Sequence, residues 1–264
     1  MYQPFGITYL YLANNLILKL IPNTHGIRLM SKNLPFKKKT RLVNAVKWMI
    51  RILITIIGAF LILIILLRWV NPTTTSVIIS EKMTLQESVE LEWTPLDHLG
   101  ENILLSVVAS EDSNFCAHHG FDLSEIFKVR KQGTLRGAST ISQQVAKNLF
   151  LWRDRSWLRK GLEAFMTVLI ETLWPKKRIL EVYLNIAETG KGYFGMSSIA
   201  MKRFGKKTNE LSLRQASHIA VTLPSPKKRN AVNLSQKLKN QAKRVRIGAT
   251  TLKMEGRASC FLNK

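Results

Sequence analysis

The densest group of chemically capable side chains is EDSNFCAHHGFD, from Glu111 to Asp122, where two adjacent acids, two histidines and a closing aspartate surround Phe115. Glu111 stands at the carboxyl end of a helical period over Asn102–Ser110, where the helix dipole disfavours negative charge and is expected to raise its pKa. A carboxylate tuned upward is a good general base near neutrality. His118 and His119 are neighbours that do not share a face, and no HxxxH spacing or third ligand accompanies them, so zinc is disfavoured. In ASTISQQVAKNLF, Thr140, Gln144 and Lys147 recur at i, i+4 and i+7, beside an apolar stripe of Ile141, Val145 and Leu149. One stripe therefore offers a hydroxyl, an amide and an ammonium. Gly137 and Ser139 open this helix, where backbone N–H groups attract anions, so a phosphate or pyrophosphate suits it; an ordinary wet face is the alternative. In RKGLEAFMTVLIETLW, Arg159 and Glu163 stand at i and i+4 with Lys160 alongside. This is either a surface ion pair worth at most about 1 kcal/mol, or a carboxylate among cations that binds a metal or aims a base at a leaving phosphate. Between Lys128 and Lys160 there are nine basic residues and one acid, Asp154. The acid/base candidates around this positive field are Glu111, Asp112, Asp122, Glu125, Glu163 and Glu171, with Glu181 and Glu188 farther on.

The elements that must position these groups read as helices. Helical periods recur over Asn102–Ser110, Ser139–Phe150, Trp157–Trp174, Lys176–Ala187, Gly195–Phe204 and Ser212–Leu223, separated by Gly, Pro, Asn and Ser. No alternation of strand and helix suggests a parallel sheet, and no repeat of fixed period is visible. Ahead of them, Ile52–Leu67 is free of charge, and with its flanks the span Trp48–Val70 exceeds the roughly 20 residues a helix needs to cross a bilayer core. It is expected to be an uncleaved transmembrane helix, since no small-residue cleavage site lies behind it. Lys32, Lys37, Lys38, Lys39, Arg41, Lys47 and Arg51 precede it without an acid, which keeps the amino terminus cytoplasmic and translocates the chain beyond Val70. Met30 begins a stretch, MSKNLPFKKKT, that reads as the translational start.

The expected organisation is a cytoplasmic basic segment over 1–47, a transmembrane helix over 48–70, a linker with a short strand in TTTSVIIS over 71–95, a catalytic domain over 96–226 and a solvated, partly disordered basic tail over 227–264. The 264 residues are 46% apolar and carry 40 Lys and Arg against 17 Asp and Glu, enough for one core of up to about 200 residues and not for two enzyme domains. A formal charge of +23 points to polyanionic partners, and a translocated domain makes nucleic acid an unlikely one. Cys116 and Cys260 lie 144 residues apart without ligand spacing, so neither a structural zinc nor a disulfide framework is indicated, and Cys116 reads as an incidental thiol.

EDSNFCAHHGFD, GASTISQQVAKNLFLW, RKGLEAFMTVLIETLW and KKRILEVYLNIAETGKGYFG occur in an order and spacing that resembles the peptidoglycan glycosyltransferases, glycosyltransferase family 51, over roughly Leu99–Pro226. Within the family the sequence resembles the monofunctional members, with one membrane helix before the domain and no SxxK, SxN or KTG set of a transpeptidase after it. The resemblance implies a mostly α, lysozyme-like fold with a second, membrane-associated lobe, in a single-pass protein of the bacterial inner membrane whose catalytic domain is periplasmic. It implies polymerisation of lipid II onto a glycan chain carried on undecaprenyl pyrophosphate, with cell wall synthesis proteins as further partners. On the matching positions, Glu111 becomes the general base and Glu163 the second catalytic carboxylate, assisting the pyrophosphate directly or through a divalent cation, Mg²⁺ or Mn²⁺. Asp112, Phe115, His118, Thr140, Gln144, Lys147, Asn148, Arg159 and Lys160 become substrate contacts. Two rival classes remain: a lytic enzyme of the same fold, which needs no cation cluster, and a silent scaffold, which would lack a key carboxylate.

Overall fold

A computed structural model describes residues 36–86, 89, 91–131, 139–154 and 156–262. The expected start at Met30 and the helix-opening part of Gly137 lie outside the described residues. Two compact units divide within the first helix, α1 (Phe36–Leu66), between Thr55 and Ile56. The apolar stretch Val43–Leu66, 24 residues, reaches about 36 Å at 1.5 Å per residue, more than the roughly 30 Å of a bilayer core. The helix thus starts well before the span expected from Trp48 and stops at Leu66. In its first part Trp48, Met49, Ile52, Leu53 and Ile54 are exposed, and Arg51 lies 5.3 Å from the Trp48 ring.

The second unit is almost entirely helical. It holds α2 (Ser76–Leu85), α3 (Glu101–Glu111), α4 (Leu123–Lys131), α5 (Ile141–Phe150), α6 (Trp157–Leu173), α7 (Lys176–Ile186), a hairpin of β1 (Glu188–Gly190) and β2 (Tyr193–Phe194), α8 (Met196–Phe204), α9 (Leu213–Ala220) and α10 (Gln236–Met254). All the helical periods read from the sequence are present, each with ends within a turn of those expected. The centre is α3, where Ile103, Leu104, Leu105, Val107 and Val108 are all buried because α9 and α10 flank it. A helix apolar on most sides requires neighbours on most sides. Gly100 caps it at φ +77°, and a Cβ there would come within 2.5 Å of the Asn209 backbone. A second packing group joins α5 to α6 and α7.

Three expectations are corrected. TTTSVIIS forms α2 rather than a strand: Thr75 caps the helix by accepting from the Ile78 N–H at 3.3 Å, and Val77 and Ile78 are buried. Ser76 Oγ donates to the main-chain carbonyls of Asn148 and Leu151, tying α2 to the end of α5. Local capping and that docking outweigh β-branched propensity.

The basic end beyond Pro226 is not a solvated tail. α10 occupies 19 residues of it, and Ala242, Val245, Ala249 and Leu252 are buried against α3 and α9. The stripe is narrow and made largely of small residues, so Lys and Arg dominate its composition while the helix still packs closely.

Cys116 and Cys260 form a disulfide across 144 residues. Chain spacing carries no information on this proximity; the packing of α10 on α3 brings the two ends together. In the loop-entropy account a crosslink this long stabilises by about 4–5 kcal/mol, less any loss from native strain. Cys260→Ser, or reduction with dithiothreitol, is therefore expected to lower the melting temperature by roughly 8–20 °C at about 2–4 °C per kcal/mol. Differential scanning calorimetry with and without reductant checks it, and coincident melts would leave the crosslink without a stabilising part.

The carbonyls at the end of α1 are collected by Arg178, which donates to Leu67 O at 3.1 and 3.0 Å, Val70 O at 2.8 Å and Asn71 Oδ1 at 2.8 Å. A further donor, Trp174 Nε1, reaches Ile64 O at 2.8 Å. These bonds satisfy carbonyls that a helix terminus leaves without an intrahelical donor. Burial pulls the Arg178 pKa down, opposed by Glu181 at 3.4 Å.

Candidate active site

A cavity of about 500 Å³ opens beside the end of α3, lined by Glu111, Asp112, Asp122, Thr140, Gln144, Lys147, Pro224 and Gln241 among others. Glu111 is the last residue of α3, and α5 carries Gln144 and Lys147 one turn apart on the facing wall. Gln144 Nε2 donates to Glu111 Oε2 at 2.9 Å, and Tyr183 Oη donates to Gln144 Oε1 at 3.4 Å. Burial pushes the Tyr183 phenol well above its ordinary value of 10, and the charges of Glu111 and Asp112 push it further. The phenol therefore stays protonated and keeps donating, so Gln144 presents its amide to the carboxylate in one orientation. Tyr183 belongs to the KKRILEVYLN segment, from which sequence reasoning drew no site residue. Its helical position alone reads as core.

Asp112, buried, holds the turn after Glu111 to the start of α5: its Oδ2 accepts the Ile141 N–H at 3.0 Å and its Oδ1 lies 2.8 Å from His118 Nε2. The Gly120 N–H donates to His118 Nδ1 at 3.2 Å, so Nε2 carries the ring proton and donates to Asp112. Thr140 is the N-cap of α5, accepting from Gln143 N at 3.2 Å and donating to Gly120 O at 2.7 Å. Phe115 is 0% exposed, against Phe261 and under the Lys176 ammonium at 4.5 Å. Asp112, Phe115 and Thr140 are buried, and the bonds of Asp112, His118 and Thr140 fix the position of Glu111 and α5; Asp112 and Thr140 also line the cavity.

Asn148 faces a second, smaller cavity of about 250 Å³ that shares Gln144, Lys147 and Pro224 with the first. Glu163 lines neither. It is 3% exposed, with Arg159 donating to Oε2 at 2.7 Å and Lys160 donating to Oε1. Glu163 thus holds two cations. Arg159 Nε is buried with no hydrogen-bond partner among the described residues. Burial pulls the Lys147 pKa down; Glu163 opposes this, while Arg159, Lys160 and Arg153 add to it. A lysine in the field of three cations is a site waiting for negative charge.

Of the other acids, Glu171 is engaged with Ser142 and Lys176, and Glu181 with Trp93 and Arg178. Glu188 joins Glu81, Arg153 and Lys227 in a network beside the second cavity, with ion pairs of 2.7 to 3.2 Å. Its members come from α2, the loop after α5, β1 and the turn after Pro226, too far apart in sequence for any motif to mark them. Asp122 caps α4, accepting from Ser124 Oγ at 2.6 Å, Glu125 N at 3.0 Å and Asn114 Nδ2 at 2.7 Å. Burial raises its pKa, but those three bonds and His118 outweigh it and hold the carboxyl at about 2. A depressed acid contributes stability above its unfolded value of 3.8 that is lost as pH falls toward about 2. Asp122→Asn is expected to cost about 1–2 kcal/mol at pH 7 and to flatten acid unfolding between pH 4 and about 2, measured by denaturant titration across that range.

Glu111 and Lys147 line one cavity of this helical domain, a carboxylate and an ammonium suited to proton transfer and to stabilising developing negative charge. Residues 78–250 match the family described as Transglycosylase. A biosynthetic peptidoglycan transglycosylase of Jannaschia sp. (strain CCS1) is 41% identical over 217 residues, 82% of this chain and 90% of that protein. The protein of the same description from Pseudomonas aeruginosa is 45% identical over 203 residues, 74% of this chain and 88% of its own, and that from Chromohalobacter salexigens 54% over 148, 54% and 63%. The chain belongs to the transglycosylase family.

Proposed function

We propose that this chain is a peptidoglycan glycosyltransferase that polymerises lipid II into β-1,4-linked glycan strands with release of undecaprenyl pyrophosphate. The observation that carries the reaction is the Glu111 carboxylate, hydrogen-bonded by Gln144, in one cavity with Lys147. Glu111 takes the proton of the acceptor 4-hydroxyl while that oxygen bonds to the donor anomeric carbon with inversion. The bond from that carbon to the pyrophosphate oxygen breaks, and its electron pair leaves with the pyrophosphate. Lys147, with Arg159 and Lys160 behind it, meets the charge that develops there.

A divalent cation does not fit at Glu163 as arranged, since both carboxylate oxygens already bind Arg159 and Lys160. No step is routed through one. The chain's own cations supply the positive charge, which disfavours the lytic reading, whose neutral leaving group needs none.

The long apolar helix α1 serves as a single-pass membrane anchor. Its orientation is proposed with the amino terminus cytoplasmic and the catalytic domain periplasmic, supported by the basic residues ahead of the span and by a disulfide, which persists in oxidising compartments. A membrane-touching lobe is supported by α4 and α6, which expose Leu123, Phe127, Trp157, Leu158, Phe165 and Val168. Incubating the full-length protein in detergent with labelled lipid II and Mg²⁺, then resolving products by gel, tests the function. Ladders of glycan are expected; intact lipid II with cleavage of finished peptidoglycan would favour lysis instead.

A further inference from the structure

A further cavity lies apart from the candidate active site. It measures about 780 Å³ and lies between the β1–β2 hairpin, α8 and the short helical turns at Leu96–His98 and Thr208–Glu210. Lys191, Lys202, Lys206 and Lys207 line it against a single carboxylate, Glu92, together with the Tyr193 ring and the hydroxyl of Ser198. Among the described residues none of the four ammonium groups has a carboxylate within ion-pair distance, and Lys202 Nζ sits 3.5 Å from the Tyr193 ring centroid. Several other lysines of this domain are paired: Lys160 with Glu163, Lys176 with Glu171, Lys227 with Glu81, Lys253 with Glu101. Four ammonium groups against one carboxylate leave the concave wall with a net positive charge that an anion would offset, and concavity focuses their field.

The cavity's position says which anion. The hairpin that forms its wall carries Glu188 of the second catalytic cavity at one end and Lys191 to Tyr193 at the other. Two residues, Thr189 and Gly190, lie between Glu188 and Lys191, so three residue steps cover about 10 Å at roughly 3.3 Å each. A polymer held in the catalytic cavities therefore has this basic hollow one strand-length away. The polymer of the proposed reaction carries peptides, and peptides of a wall precursor present free carboxylates.

We propose that this cavity binds the carboxylates of the peptides borne by the glycan strand, with a sugar or peptide face on Tyr193, and so keeps the strand on the enzyme between additions. The proposal rests on the glycosyltransferase reading and extends it to the peptide part of the substrate.

The test uses the full-length protein in detergent and the variant Lys191→Ser/Lys202→Ser/Lys206→Ser, whose substituted positions are exposed and whose melting temperature is expected to match the wild type. Binding is measured by fluorescence anisotropy with labelled, uncrosslinked glycan strands, either peptide-bearing or stripped of peptide by an amidase. Exposed charge contacts are individually weak, so together they are expected to give about a tenfold loss of affinity for the peptide-bearing strand, none for the stripped strand, and a difference that collapses at high salt. Strands made from lipid II by the variant are expected to be shorter at an unchanged initial rate. Equal affinity of variant and wild type for the peptide-bearing strand overturns the proposal. So does an equal loss on both strands, which would mean recognition of the sugar backbone, or a loss confined to phosphatidylglycerol vesicles, which would mean a lipid headgroup site. Wild-type protein that binds the peptide-bearing strand but never polymerises lipid II would leave the cavity's ligand standing while removing the glycosyltransferase reading.

Discussion

Glu111→Gln is expected to lower kcat/KM for lipid II polymerisation by about two to four orders of magnitude, the range for losing a positioned general base, with no change in melting temperature. The substitution keeps volume at the end of α3, and the new amide can turn its oxygen to accept from Gln144 Nε2, which donates to Glu111 Oε2 at 2.9 Å. What is lost is the ability to take the acceptor hydroxyl's proton as the new bond forms. Steady-state polymerisation with fluorescent lipid II, together with a pH profile, reads this. The wild type is expected to lose rate on the acid side as the carboxylate protonates, and the variant to show a flat acid limb at its residual rate. Near-normal turnover by the variant would remove Glu111 from the mechanism. Tyr183→Phe offers a graded companion: it removes the donor to Gln144 and should move kcat more than KM, since it disturbs the orientation of the base and touches no substrate.

Lys147→Ala is expected to lower kcat by about two to three orders of magnitude, the cost of removing one preorganised electrostatic contact to developing charge. The ammonium stands between the two cavities, on α5 one turn beyond Gln144, in the field of Arg153, Arg159 and Lys160. Its charge is held there at some cost, because burial and three cations disfavour it and only Glu163 favours it, so a substrate anion restores what the site lacks. Affinity for the pyrophosphate-bearing donor should fall while binding of pyrophosphate-free glycan stays the same, and equal weakening of both would show that Lys147 has no such role. Because its pKa lies below the ordinary lysine value, the wild-type rate should fall on the alkaline side before a free lysine would titrate. Lys147→Arg should move that limb upward, a displacement that a merely structural lysine would not produce.

The arrangement around these two residues explains why a cluster of motifs yields only two groups poised for chemistry. Asp112, His118 and Thr140 spend their polar atoms on one another, on Gly120 and on the first N–H of α5. Glu163 spends its carboxylate on Arg159 and Lys160. Such a shell of satisfied partners holds Glu111 and Lys147 to a fixed separation, and fixed separation is what lets a base and an electrostatic contact act on one substrate together.

Much of this was legible in the residues themselves. Six helices follow from apolar periodicity and its Gly, Pro and Ser breaks, because burial along one stripe and capping at the ends are local properties of a segment. The membrane helix follows from length and lack of charge, and the family from four motifs in order. The candidacy of Glu111 came from its place at a helix end and that of Lys147 from its spacing with Gln144, both again local. Other features depended on which segments meet. The Cys116–Cys260 bond, the burial of α10 beneath a basic composition and the Glu81, Arg153, Glu188 and Lys227 network each join residues far apart in the chain. How deeply a motif residue is buried was decided the same way: packing encloses both Phe115 and Glu163. Sequence spacing reports what one helix face presents; what lies opposite that face is set by tertiary packing, which gave the contact with Glu111 to Gln144 and brought Gln241 of α10 to the cavity wall.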